Sequence, residues 1–219
     1  MRLYIGTRLL DMNDEELDAL YLNEGSEGVI YKYNDTVLKI YKDNPLISKL
    51  SKEEIDELKN LKLKRFLVPS ESLTDSDGNT IGYSSNYIKE DAFNKIFSMD
   101  ANTLKDELYN LIDDVRTLSK NGFEIFDLHL SNLLVSDDKI YFIDPGSFHK
   151  CDDEFDELYR VNRYRFDNFI VNDLFAAALS KKNRKKLDKA YNMRSDLMSF
   201  LDEMDDEENI KNFTKKVIR

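Results

Sequence analysis

The residues that could do chemistry together lie in the middle of the chain. Asp127 and Asn132 stand five positions apart in DLHLSN, and Asp144 opens the run DPG that follows. Asn132 and Asp144 offer the hard oxygen ligands that suit Mg²⁺. Asp127 is a residue type that accepts or orients the proton of an attacking hydroxyl. Upstream, Lys39 sits in VLKIY, a cation inside an apolar strand pattern. Alternation points it away from the side of Leu38 and Ile40, where it needs an anion or a route to water. Earlier still, Gly25 and Gly28 in NEGSEGVIYK fall between two strand-like runs. Glycines there let backbone amides approach a phosphate closely. Each piece also has an ordinary reading: an Asp and an Asn as loop caps, DPG as a turn, a lysine guarding a sheet edge, two glycines in a plain turn.

Elements must position these groups, and the patterning names several. GVIYKYNDTVLKIYK alternates and is rich in β-branched and aromatic residues. Asn34-Asp35 interrupts it and suits a tight hairpin turn. Ser51-Lys-Glu-Glu predicts a helix start, with Ser51 as N-cap and Glu54 completing a capping box. Ile55, Leu58, Leu61 and Leu63 then recur near helical spacing. Asp77-Gly78 signals a second hairpin, followed by a strand over 80–83. Leu104, Leu108, Leu111, Ile112, Val115 and Leu118 form one long amphipathic stripe, which Asn121-Gly122 should stop. Leu133–Val135 and Ile140–Ile143, split by Asp137-Asp138, read as a small buried hairpin. From about residue 153 the chain is charged and helical. The order is therefore a strand-rich half with one helix, a short connector and a helical half.

The bulk properties narrow the function classes. The chain has 219 residues, 41% hydrophobic and 34% charged, with few Gly and Pro. That is enough to bury a core, and it excludes collagen-like and low-complexity classes. No run reaches the about 18 apolar residues of a membrane span, and the first residues lack a signal-peptide layout. A single cysteine, Cys151, excludes an internal disulfide; a reducing, cytoplasmic setting fits. Thirty-two basic residues against 43 acidic leave a net charge of −11. Neither a nucleic-acid partner nor a membrane is therefore expected. The basic stretches 62–65 and 181–189 and the acidic stretch 202–208 read as solvated faces.

Taken together and in this order, a Gly-rich hairpin, a strand Lys, a helix Glu, Asp-x-x-x-x-Asn and Asp-x-Gly resemble the protein-kinase-like superfamily. The resemblance runs from about Leu20 to about Phe148. It implies an α+β, two-lobed fold: an antiparallel β lobe with one helix over 1–86, a hinge over 87–91, and a shortened helical lobe over 92–219. It further implies an ATP- and Mg²⁺-dependent phosphotransferase. Gly25, Ser26 and Gly28 would cover the phosphates, with Asn23 where a further glycine is usual. Ile30 would pack on the adenine, and Ser85, Tyr87 and Ile88 would form the gatekeeper and hinge. Lys39 would pair with the phosphates and be held by Glu54, with Glu53 and Glu57 as alternatives. Asp127 would be the catalytic aspartate, and Asn132 and Asp144 the metal-binding pair.

The departures from the pattern shape the expectation. Ile125-Phe126 stands where His-Arg usually precedes the catalytic aspartate, so activation through a phosphorylated activation loop is not expected. His129 replaces the lysine of most Ser/Thr kinases; DLHLSN resembles the loop of aminoglycoside and choline kinases and of some atypical protein kinases. His129 would then touch the γ-phosphate, or else serve as a structural histidine. The given chain carries 75 residues after Asp144, without an Ala-Pro-Glu segment, so the peptide-docking platform is cut down. Arg160, Arg163 and Arg165, set among aromatics, form either a substrate-facing strip or a packed amphipathic helix. The leading expectation is a Ser/Thr protein kinase with an unknown protein substrate. A kinase for a small hydroxyl compound, a nucleotide-binding pseudokinase acting as an interaction module, and transfer of a nucleotidyl group are the alternatives.

Overall fold

A computed structural model describes residues 2–44, 49–89, 96, 99 and 101–175. The stretches 181–189 and 202–208, and the last two positions of the expected hinge, lie outside the described residues.

The first half is one antiparallel sheet of seven strands in the order β2-β1-β6-β7-β5-β4-β3. β1 (Arg2–Ile5) and β2 (Arg8–Asp11) form one edge and β3 (Tyr21–Glu24) the other. The centre is built by β4 (Gly28–Tyr33), β5 (Thr36–Tyr41), β6 (Glu71–Thr74) and β7 (Thr80–Asn86). The β4–β5 hairpin turns at Asn34-Asp35 as expected, with Asn34 in the left-handed region at φ 55°. The β6–β7 connection turns at Gly78, whose φ of 86° is ready for glycine and strained for other residues. The edge hairpin β1–β2 and the short helix α1 (Asp14–Ala19) carry no strong periodic signal. So this half holds two helices where the sequence reading expects one.

Helix α2 (Lys52–Lys59) begins as expected. Ser51 accepts a bond from the Glu54 amide and Glu54 returns one from the Ser51 amide. Helix α3 (Ala101–Lys120) carries the long stripe, with Leu108, Leu111, Val115 and Leu118 fully buried. Gly122, at φ 71°, follows its end. The second half then folds β8 (Phe123–Ile125), β9 (Leu133–Ser136), β10 (Lys139–Phe142), β11 (Phe148–Lys150) and α4 (Phe155–Asn168). β9 and β10 pair as the expected hairpin, with Asp137 and Asp138 both at positive φ. β8 and β11 pair antiparallel across a long sequence gap that no local pattern announces. A π-helical stretch, Phe169–Phe175, continues α4. The architecture is thus α+β, antiparallel strands first and helices after. Among the described residues no helix is long and apolar enough to cross a membrane.

Two hydrophobic cores sit on opposite faces of the sheet. Leu3, Leu10, Met12, Leu38 and Leu73 make the smaller one. The larger joins Ile55 and Leu58 of α2 and Tyr83 of β7 to the apolar face of α3, the β9–β10 hairpin, and Phe166 and Phe169. This core crosses residue 86, so Ile55 and Leu58 of α2 share it with residues of the second half. Phe66 reinforces the junction. It stacks on Phe142 at a centroid distance of 4.8 Å and bridges to the same residue through the backbone.

Candidate functional site

A cleft of 760 Å³ opens between the sheet and the β8–β10 platform. Strand alternation places the roof. Leu38 is fully buried and Ile40 packs with it in the smaller core, so Lys39 projects from the other face into the cleft. Ile30 and Val37 flank it from β4 and β5. The turn before β4 brings Gly25, Ser26, Glu27 and Gly28 to the same opening, and Ser85, Tyr87 and Ile88 line its rear. The floor comes from the platform: Asp127, His129, Asn132 and Asp144, with Leu67, Leu133 and Ile143. Every residue expected to hold nucleotide or metal therefore lines this one cleft, as do Asp127 and His129.

The centre of the cleft is an ion cluster. The Lys39 ammonium donates to Asp144 Oδ1 at 2.8 Å, to Asp144 Oδ2 at 3.1 Å and to Glu27 Oε2 at 2.7 Å. Lys39 is only 6% exposed. Burial by itself would lower its pKa; Asp144 and Glu27 outweigh that, and the ammonium is held above the ordinary lysine range. Asp144 is fixed further: the Tyr83 hydroxyl donates to Oδ1 at 3.1 Å and the Gly146 amide at 3.0 Å. The Tyr83 phenol is buried, and that burial together with Asp144 pushes its pKa well up, so it remains a donor. Gly146 lies against the cluster. A Cβ there would stand 2.9 Å from Lys39 Nζ, 3.0 Å from Asp144 Oδ1 and 3.1 Å from Glu27 Oε2.

The loop over 127–132 is stitched from within. His129 Nε2 is 3.3 Å from Asp127 Oδ2, and its Nδ1 is 2.8 Å from the Ser131 hydroxyl. The Asn132 amide side chain donates to the Asp127 carbonyl at 3.3 Å, and the Ile143 amide to the Asn132 carbonyl at 3.0 Å. The second bond ties Asn132 to the residue beside Asp144. Both Asp127 and His129 keep more than half of their side-chain surface open to the cleft. Just before this loop, Asn162 of α4 is fully buried and spans β8. It accepts from the Ile125 amide at 2.9 Å and donates to the Phe123 carbonyl at 2.8 Å and to Ser119 Oγ at 2.9 Å.

One expectation is corrected. Glu54 does not hold Lys39. Its Oε2 accepts from the Ser51 amide at 2.8 Å and its Oε1 from the Lys150 amide at 3.3 Å. A capping-box glutamate folds back onto its own helix start, which spends the carboxylate there. Glu57, an alternative, pairs with the Lys150 ammonium instead. The carboxylate that does meet Lys39 from its own half is Glu27, inside the glycine turn. Glu27, Tyr83 and Gly146 are the residues sequence reasoning missed as members of the site. For Glu27 a signal existed: an acid in the turn next to the strand that pairs with the lysine strand.

Other groups resolve as structure. Lys64 and Arg65, from the basic stretch 62–65, give their backbone amides to Asp114, and Arg65 pairs with Glu107. Arg163 and Arg165 pair with Asp167 and Glu124 against the fold, and Arg160 pairs with Glu157 on the exposed side of α4. His149 packs edge-on against Phe126 at 5.2 Å.

Among the described residues no three His, Cys, Asp or Glu side chains form a closed metal cage. One carboxylate and one amide oxygen, from Asp144 and Asn132, fit a hard cation that keeps water and phosphate in its remaining positions. No protein-family model matches the chain, and no curated protein matches it. Among solved structures it is similar to the Legionella pneumophila Lpg2603 kinase bound to IP6, at 18% identity and a TM-score of 0.46. The likeness covers 80% of this chain and 67% of that one.

Proposed function

We propose that this protein is a protein-kinase-like phosphotransferase that moves the γ-phosphate of ATP to a hydroxyl with the help of Mg²⁺. One observation carries the reading: Lys39 from the sheet and Asp127, Asn132 and Asp144 from the platform face one cleft, although Lys39 and Asp144 are 105 positions apart. A lysine ammonium, a general-base-type aspartate and an Asn/Asp pair of hard oxygens are the parts that phosphoryl transfer needs.

In this reading the adenine lies in the apolar slot between Ile30 and Val37 above and Leu133 and Ile143 below. Backbone groups near Ser85, Tyr87 and Ile88 give it its hydrogen bonds. The turn over 25–28 covers the phosphates, and Lys39 balances their charge. Asn132 and Asp144 would hold the cation, which when bound neutralises charge on the transferring group. Asp127, open to the cleft mouth, receives the proton of the acceptor hydroxyl. His129 fixes the Asp127 carboxylate at 3.3 Å and is itself oriented by Ser131. The acceptor class, a protein Ser or Thr or a small hydroxyl compound, is set by surfaces outside this constellation. The leading reading is a protein hydroxyl.

The test is label transfer from γ-labelled ATP with Mg²⁺, using the protein itself, generic protein substrates and small hydroxyl compounds as acceptors. Asp127→Ala should reduce transfer by about 10²-fold or more and leave nucleotide binding intact. Asp144→Ala should lose both. An Asp127→Ala variant at the full wild-type rate would remove the base from the scheme. A mass gain of AMP on the acceptor would replace phosphoryl by nucleotidyl transfer. Nucleotide binding with no transfer to any acceptor would leave an interaction module.

A further inference from the structure

We infer that Glu27 is a gate on the polyphosphate subsite, a carboxylate that occupies Lys39 and must be displaced before phosphate can bind there. The inference rests on the nucleotide reading for the identity of the ligand, but its physical basis is the ion cluster alone. Lys39 has three N–H donors, and three carboxylate oxygens lie within bonding distance: two from Asp144 and one from Glu27. A phosphate oxygen reaching this ammonium has to replace one of them.

The two carboxylates are not held alike. Asp144 is braced by the Tyr83 hydroxyl and the Gly146 amide, and it follows a hairpin that packs into the main core. Glu27 comes from the exposed turn between β3 and β4, where Gly25 has no neighbour within 4 Å of a would-be Cβ. The turn is pinned at its base by Gly25 N to Gly28 O, 3.0 Å, and Lys42 N to Glu27 O, 2.9 Å. Its tip, Gly25 and Ser26, is exposed, and the Glu27 side chain is itself 32% exposed, so it has a path to solvent. Glu27 is thus the partner that leaves, and Asp144 the one that stays.

Charge sets the sign of the effect. Two carboxylates on one ammonium leave the cluster with a net negative charge, which opposes an incoming polyanion. Removing the Glu27 charge leaves Lys39 matched one-to-one with Asp144. The strand lysine is then held from its own half by a turn residue that competes with the ligand, rather than by a helix glutamate that would stay in place beside it.

The experiment measures the affinity of the full chain for inorganic tripolyphosphate and, separately, for ATP, both with Mg²⁺, by calorimetry. Glu27→Gln keeps the shape and removes the charge; Glu27→Ala, in the same exposed turn, removes the side chain. Both should bind tripolyphosphate more tightly than wild type, by about tenfold, the scale of one hydrogen bond between charged groups. Unchanged or weaker tripolyphosphate binding in both variants overturns the gate, as does no tripolyphosphate binding by any form. The nucleotide reading fails separately: if wild type binds ATP no better than tripolyphosphate, the slot does not take a base. The gate still stands in that case if the variants show the expected gain.

Discussion

At the scale of single residues, two glycines in the site are required for different reasons, and they make different predictions. At Gly28 a Cβ would stand 2.6 Å from the Ile40 carbonyl oxygen, a backbone atom of the paired strand that cannot step aside. Gly28→Ala should therefore force β4 off β5 and cost about 1–3 kcal/mol, read as a lowered denaturation midpoint. At Gly146 the atoms in the way are the ends of the Lys39, Asp144 and Glu27 side chains. Those can shift, so Gly146→Ala should change stability by less than about 1 kcal/mol. It should instead disturb the ion cluster and weaken ATP binding with Mg²⁺ severalfold. A calorimetric titration beside a thermal melt separates the two: a large loss of stability in Gly146→Ala would mean the glycine serves the backbone, not the cluster.

At the scale of elements, the position of the loop over 127–132 depends on a helix that follows it in sequence. Asn162 of α4 uses its side chain to bond the Ile125 amide, the Phe123 carbonyl and Ser119 Oγ, all in the interior. Arg165, from the same helix, donates to the Ile125 carbonyl at 2.9 Å. Together they clamp β8, whose last residue lies two before Asp127. Asn162→Ala strands buried backbone groups without partners, and should cost about 3 kcal/mol. A chemical denaturation curve checks that loss. Because the clamp acts on the loop and not on the sheet, the variant should lose transfer rate more than ATP affinity. Equal loss of both would show that the disturbance spreads through the whole cleft. Helix α2 is tied in a similar way, through Glu54 to the Lys150 amide and Glu57 to the Lys150 ammonium. Those ties aim Glu54 and Glu57 away from Lys39.

At the scale of the whole molecule, the two halves are joined by more than the cleft. Arg65, on the connector between α2 and β6, pairs with Glu107 of α3, which also accepts the Ile140 amide of β10 at 3.0 Å. Burial works to raise the Glu107 pKa, but the Arg65 and Ile140 bonds outweigh it and the net shift is downward. The sign follows. A carboxyl whose folded pKa is depressed adds stability above its unfolded pKa and gives it up as pH falls through the folded value. Stability should therefore drop as pH falls below about 4.5, and the Glu107→Gln variant should show a shallower drop over that window. Parallel pH profiles for wild type and variant, from denaturant midpoints, would remove Glu107 from the acid response. Asp114 contributes with the opposite sign. Burial raises its pKa despite bonds from the Lys64, Arg65 and Phe66 amides, so it favours the folded state less as pH rises through the carboxylate range.

What the sequence determined by itself is local. The hairpin at Asn34-Asp35, the capped start of α2, the stripe of α3 and the β9–β10 hairpin follow from turn chemistry, capping and periodicity, all of which act over a few residues. The residue types that could handle a phosphate and a cation were legible for the same reason, because DLHLSN and DPG are short spans. What only the tertiary structure decided is which charge meets which. Glu54, Glu57 and Glu27 are all acids near enough in sequence to be candidates for Lys39. A capping box claims the first, and Lys150 of β11 claims the second. The β3–β4 turn delivers the third. The pairing of β8 with β11, the clamp by Asn162 and the seating of Gly146 against the ion cluster likewise join residues far apart in the chain. Contacts of that kind are selected by how the cores pack, and a periodic pattern within one element carries no record of them.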